Sequence, residues 1–189
     1  VYFNGTVLQT IAGAALTTFY DVTFNNAVNV ALGQNIDVLH NFVNQGGYCG
    51  CGFRTRFNGT VAQSITCTSG RTHFHDITFA NVAGVTLLDG IYVSGQWVNN
   101  GGYLANNKTV IFDGTVLQTI AGSVLSAFYN VGITNVVNVQ LLRDITVAGF
   151  WNNTGIFTGN SFGVTFNGLY VNSTLGSTLK TTTAPAAVN

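Results

Sequence analysis

The phrase FNGT at 3–6 returns as FNGT at 57–60, FDGT at 112–115 and FNG at 166–168, at nearly equal steps. The rest of the chain repeats with it. Phe3, Phe57, Phe112 and Phe166 form one column of equivalent positions. Ile11, Ile65 and Ile120 form a second, and Phe19, Phe74 and Phe128 a third. Leu32, Leu87 and Leu141 follow, then Ile36, Ile91 and Ile145. Self-similarity at a period above about 20 residues means units that cannot bury their apolar faces alone and must stack on one another.

Within each copy the apolar residues alternate, as in Val22-Thr23-Phe24, Val30-Ala31-Leu32 and Ile36-Asp37-Val38. That is strand periodicity, with successive side chains on opposite faces. β-Branched and aromatic residues fill these runs, and Asn and Gly punctuate them. The expected fold is all-β, a parallel β-helix (β-solenoid) with about three coils of roughly 18 residues in each repeat. Neighbouring coils would pair at about 4.8 Å, and their inward side chains would pile into apolar ladders. The repeats run 3–56, 57–111 and 112–165, with a partial fourth at 166–175. Together they make one domain over 1–175, followed by a Thr/Ala-rich tail or inter-subunit arm at 176–189. In the FNGT phrase, Phe is expected to face the core and Asn-Gly to turn a corner that needs left-handed backbone. A Greek-key β-sandwich is the alternative fold.

Only six Lys and Arg and six acidic residues, all Asp, occur among 189 residues, and the net charge is zero. Charged residues make up 6%, against about 25% in ordinary globular chains. Nothing here attracts nucleic acid. A neutral surface also repels its own copies weakly, which favours association. No apolar run reaches the length of a membrane-spanning helix, so no membrane insertion is expected. No leader peptide opens the chain, so Val1 reads as a mature N-terminus or a fragment start. Of the three cysteines, Cys67 is the candidate to pair with Cys51 or with Cys49, leaving one thiol over.

The residues that carry chemistry are few. Asp21 and Asp76 share a repeat position, which puts them about three coils apart and too far for a glycosidase pair. Arg71, His73 and His75 form the densest polar stretch and are the candidate ligand contact; two His at i and i+2 need a third ligand to hold a metal. Arg54 and Arg56 lie just before the second FNGT and could meet a glycan or an anion. Trp97 and Trp151, with Phe42 in the first copy, fall at core phase. The threonines do not recur as paired ranks at coil spacing, as an ice-binding face would require. No catalytic residue, metal or cofactor is called for. Five N-x-S/T sequons, at Asn4, Asn58, Asn107, Asn152 and Asn172, are candidate glycan sites only in a chain from a glycosylating host.

The phrases FNGTVLQTIAG and FYDVTFNN and the endings QWVNNGGY and FWNNTGIF resemble repeats of large surface and adhesin-like proteins of the Bacteroidota, many of them exported by the type IX route for gliding or attachment. The resemblance covers residues 1 to about 170. It implies an extracellular β-solenoid with a structural or adhesive role, and it supplies no catalytic residues. The expectation is therefore a non-enzymatic subunit or segment of a secreted surface filament, with copies stacking head to tail and surface glycans as a further partner. A carbohydrate-binding or polysaccharide-cleaving β-helix is the rival.

Overall fold

The structure is a computed structural model that describes residues 1–68, 72–168 and 170–173. Arg71 and the tail at 176–189 lie outside the described residues. Strands alone make up the regular structure of the described residues. In the first repeat these are β1 (Tyr2–Phe3), β2 (Gln9–Ile11), β3 (Thr17–Phe19), β4 (Val22–Phe24), β5 (Val30–Leu32), β6 (Ile36–Val38), β7 (Phe42–Asn44) and β8 (Tyr48–Cys49). In the second they are β9 (Arg54–Phe57), β10 (Gln63–Cys67), β11 (Thr72–Phe74), β12 (Asp76–Phe79), β13 (Val85–Leu87), β14 (Ile91–Val93), β15 (Trp97–Asn99) and β16 (Tyr103–Leu104). The third supplies β17 (Thr109–Phe112), β18 (Gln118–Ala121), β19 (Ser126–Phe128), β20 (Asn130–Ile133), β21 (Val139–Leu141), β22 (Ile145–Val147), β23 (Phe150–Asn153) and β24 (Phe157–Thr158). The partial fourth adds β25 (Val164–Phe166) and β26 (Tyr170–Ser173).

Each strand pairs in parallel with the third strand along, save that β16 and β19 lie in contact without ladder pairing, so the chain winds as a three-sided solenoid of about eight turns. The first face holds β1, β4, β7, β10, β13 and β16 and continues through β19, β22 and β25. The second runs from β2 to β26 and the third from β3 to β24. The turns differ in length: one carries the chain from Val30 to Tyr48, and the next needs the longer stretch from Cys49 to His73. Strands stay short, and the corners absorb the difference.

A repeat contains eight strands and a turn contains three. Each copy therefore advances by two and two-thirds turns, close to the three expected, and the missing third has a consequence. Phe3 lies on the first face in β1, Phe57 on the third in β9 and Phe112 on the second in β17. Phe166 returns to the first face in β25. Equivalent residues are not stacked in one column; they climb the core as a screw. Phe57, Phe112, Ile65, Ile120, Phe74, Phe128, Leu87 and Leu141 are fully buried, as are Leu32, Ile36, Ile91 and Ile145. Ile11 and Phe19, in the first coil, are nearly so, and Phe3 and Phe166 are partly buried against the core. Phe42, Trp97 and Trp151 also face inward. Their rings interlock along the axis, with Phe79 to Trp97 at 4.7 Å and Trp97 to Phe128 at 4.9 Å between centroids, a geometry that adds to plain area burial.

The FNGT phrase turns a corner as expected, between β1 and β2, β9 and β10, and β17 and β18, but not through the left-handed backbone expected of it. Among the described residues, positive φ occurs at Cys51, Gly52, Gly84, Asn106, Asn107, Gly122 and Asn160, and none of these belongs to the phrase. Its glycine is required by close approach: a Cβ on Gly59 would lie 1.9 Å from the Leu39 carbonyl oxygen, and one on Gly114 would lie 2.2 Å from that of Ser94. The amide of each glycine donates to the Oε1 of the glutamine in the next strand, Gly59 to Gln63 at 3.1 Å and Gly114 to Gln118 at 2.9 Å. The Nε2 of Gln63 donates to the Val38 and His40 carbonyls of the coil before. Gln118 does the same to Val93 and Gly95. A buried asparagine of the following coil closes the clamp. Asn81 Nδ2 donates to Gln63 Oε1 at 2.9 Å and Asn135 Nδ2 to Gln118 Oε1 at 2.8 Å. Asn26 and Gln9 make the same contact at 3.0 Å. Buried amides demand partners, and this set supplies them across three successive coils.

Candidate functional site

A hollow lined by charge lies on the outer side of the third face, over β9, β12 and β15. In a strand that buries alternate residues the others point out. Thus Thr55 and Phe57 are buried while Arg54 and Arg56 face solvent, and Asp76 and Thr78 do so on β12. The ladder sets Asp76 beside Arg54 and Thr78 beside Arg56, and places Val98 next to Thr78. With Ala80, Gln96 and Asn100 these side chains line a groove of about 430 Å3.

Its charges are not equivalent. Arg56 forks onto Asp37 of the preceding coil, donating from Nε to Oδ1 at 3.0 Å and from Nη2 to Oδ2. Asn58 Nδ2 adds a third bond to Oδ2 at 3.0 Å, and Asp37 is buried. The carboxylate holds the Arg56 guanidinium above its usual range, with partial burial opposing it. Arg54 makes no salt bridge with any described residue, and its Nε is buried without a hydrogen-bond partner among them. Asp76 accepts the Gln96 amide at 2.7 Å and lies 3.2 Å from His75 Nδ1.

A second polar cluster lies on the outer side of the second face. His73 stacks on Tyr92 of the next coil with centroids 4.3 Å apart, and its Nε2 is 3.6 Å from Asp113 Oδ2. Burial pushes the Asp113 carboxyl up, opposed by His73. His75 does not share this face. β11 ends at Phe74, the chain turns a corner at His75, and β12 begins on the third face at Asp76. The i, i+2 pairing expected of His73 and His75 is thus broken by the corner between them. No group of three His, Cys or Asp residues suited to a metal occurs among the described residues.

Neither cysteine pairing expected from sequence is present. Cys49 bridges Cys51, with Cα atoms 5.1 Å apart, which is within disulfide reach. Cys51 and Gly52 at positive φ form the tight turn that brings the two sulfurs together. Cys67 is an inward residue of β10 and is buried away from that corner.

Comparisons with protein-family models, with curated proteins and with solved structures find no match to this chain.

Sequence reasoning named Arg54, Arg56, Asp76, His73 and His75 but not their grouping, and it missed Gln96 and Asn100 in the groove and Tyr92 beside His73. The coil-to-coil step runs from Thr55 to Ile77 and then, slightly shorter, from Ile77 to Trp97. Without those two unequal offsets no outward residue can be assigned its neighbour. Asp21 and Asp76 are also on different faces. Asp21 precedes β4 on the first face, bound to His40 and the Asn41 amide, whereas Asp76 opens β12 on the third.

Proposed function

We propose that this chain is a structural module of an extracellular surface filament or adhesin, a stiff rod extended by end-to-end stacking of solenoids. The observation that carries the reading is which positions the repeat preserves. Inward sites recur almost unchanged: Val30, Val85 and Val139, then Leu32, Leu87 and Leu141, then Asn44, Asn99 and Asn153. Outward strand sites drift, as from Thr18 to His73 to Ala127, while exposed Thr6, Thr60 and Thr115 and exposed Val7, Val61 and Val116 recur at the corners. The repeat maintains a scaffold of core and corners and lets the outer strand positions vary, which suits a rod better than a binding array repeated along one face.

Two further features support it. All three faces are parallel ladders in which one coil pairs with the next, so a coil of one solenoid can pair with a coil of another by the same contacts. Three repeats of eight strands close eight whole turns, so solenoids joined coil to coil can keep their three faces in line. Such a heterologous contact propagates into a fibre. The Cys49–Cys51 bridge fits an oxidising, extracytoplasmic setting, in keeping with the surface-protein resemblance of the repeats. Negative-stain imaging at micromolar concentration tests the reading. Rods many solenoid lengths long are expected, and monodisperse single particles at every concentration would refute the stacking.

A further inference from the structure

The geometry points to the groove on the third face as a binding site for an acidic sugar, with Arg54 taking the carboxylate of a uronic acid. Arg56 is neutralised by its fork onto Asp37. That leaves Arg54 as the uncommitted cation, with a buried Nε lacking a partner among the described residues. A guanidinium in this state is matched by a planar carboxylate, which accepts two parallel bonds. Around it stand groups suited to ring hydroxyls: the Asp76 carboxylate as acceptor, the Thr78 hydroxyl, and the Asn100 amide. The short side chains of Thr78, Ala80 and Val98 sit among longer ones and give the hollow its depth.

Charge density selects the class of polymer. The groove spans three coils, about 10 Å at the usual strand spacing, and Arg54 is the one cation in its lining that no described carboxylate neutralises. A nucleic acid strand presents a phosphate at every nucleotide and needs a row of cations. A glycan with one carboxylate per sugar, or per few sugars, is served by a single arginine and neutral hydrogen-bonding neighbours. No aromatic side chain lines the groove, and both tryptophans are in the core. Recognition is therefore by hydrogen bonds and charge, without stacking. Such a site serves the chain whether or not copies stack, so the imaging test and the binding test fail independently.

The probe is an α-1,4-linked galacturonate hexasaccharide, titrated calorimetrically into the full chain beside a neutral maltohexaose and a sulfated hexasaccharide. Saturable binding of the uronate alone is expected. Arg54→Gln should weaken it about ten- to a hundredfold, the worth of one charge-assisted bidentate contact. Val98→Trp should abolish it by filling the groove while leaving every charge in place. Both sites face outward, and an unchanged unfolding midpoint confirms that each variant folds. The inference is overturned if the uronate does not bind at millimolar concentration, if maltohexaose binds as well, or if Arg54→Gln leaves affinity unchanged. Equal binding of the sulfated sugar overturns the assignment to a carboxylate.

Discussion

Gly59 and Gly5 occupy the same place in the same phrase, yet replacing them with alanine should have very different effects. At Gly59 the new methyl would fall 1.9 Å from the Leu39 carbonyl oxygen and 2.8 Å from its carbon. Both are backbone atoms of the coil beneath, locked into the ladder. Real contacts of this kind do not fall below 3.0 Å, so about 1 Å must open between the coils, an overpacking strain of roughly 1–3 kcal/mol. The displacement also pulls on the Asn58 amide bond to Val38 and on the two bonds from Gln63 Nε2. Losing one of these leaves a buried group unsatisfied, at a further cost of about 1–3 kcal/mol. The total of about 2–6 kcal/mol corresponds to a fall in Tm of roughly 5–25 °C for a chain of this length. At Gly5 the methyl meets only the Gln9 side chain, at 2.8 Å, and the glutamine end can swing away. Losing the Gly5–Gln9 bond is then offset by the smaller entropy of the unfolded chain, leaving a net effect within about 1 kcal/mol. Thermal unfolding followed by circular dichroism reads both. Equal shifts for Gly59→Ala and Gly5→Ala would refute close approach as the reason for the glycine.

Asp113 stands where the first two copies have asparagine, half-buried, with Oδ1 lacking a partner among the described residues. Its folded pKa is raised above 3.8, chiefly by desolvation. The folded state therefore holds its proton longer than the unfolded state, and stability falls as pH rises from about 3.8 through the folded value. Asp113→Asn should accordingly raise Tm at neutral pH and have little effect near pH ~3, and a gain independent of pH would count against this account. Tyr48 and Tyr103 are equivalent and both buried. The Tyr48 hydroxyl is 2.5 Å from Thr55 Oγ1, while Val110 occupies the position of Thr55 in the next copy and the Tyr103 hydroxyl has no partner among the described residues. Tyr103→Phe should stabilise by about 1 kcal/mol and Tyr48→Phe should destabilise by a similar amount; shifts of the same sign in urea denaturation would contradict it.

The solenoid is legible because its inward residues alternate throughout every copy. Phe57, Ile65 and Phe74 read as core from their period alone, and the structure buries all three. The glutamine and asparagine clamps leave an equally regular signal, Gln9, Gln63 and Gln118 beside Asn26, Asn81 and Asn135. That signal misleads because a polar residue in a strand protein is ordinarily a surface residue; only the coil-to-coil contact shows that these side chains hold the interior of the corners together. The groove is illegible for another reason. Arg54, Asp76 and Gln96 are brought together by unequal steps, Thr55 to Ile77 and Ile77 to Trp97, and nothing in the sequence fixes how much chain a given corner will hold. The expected cysteine pairing fails on the same ground, since the bridge depends on the local backbone at Cys51 and Gly52.

The mismatch between eight strands per repeat and three per turn limits what this surface can do. Were each copy a whole number of turns, an outward side chain preserved by the repeat would lie above its equivalents on one face, and three copies would build a regular array. Here any such residue appears once on each face, a third of a turn around from the last. Trp97 and Trp151 show the rule from inside, on the third and second faces respectively. The core tolerates the rotation because all three walls demand the same apolar side chains. A flat ligand that needs repeated contacts along one face, such as an ice or crystal plane, gains nothing from the repetition. A local site formed by one copy, such as the groove at Arg54, is unaffected by it. The period thus permits a rod whose three faces differ, and it confines specific recognition to single places along that rod.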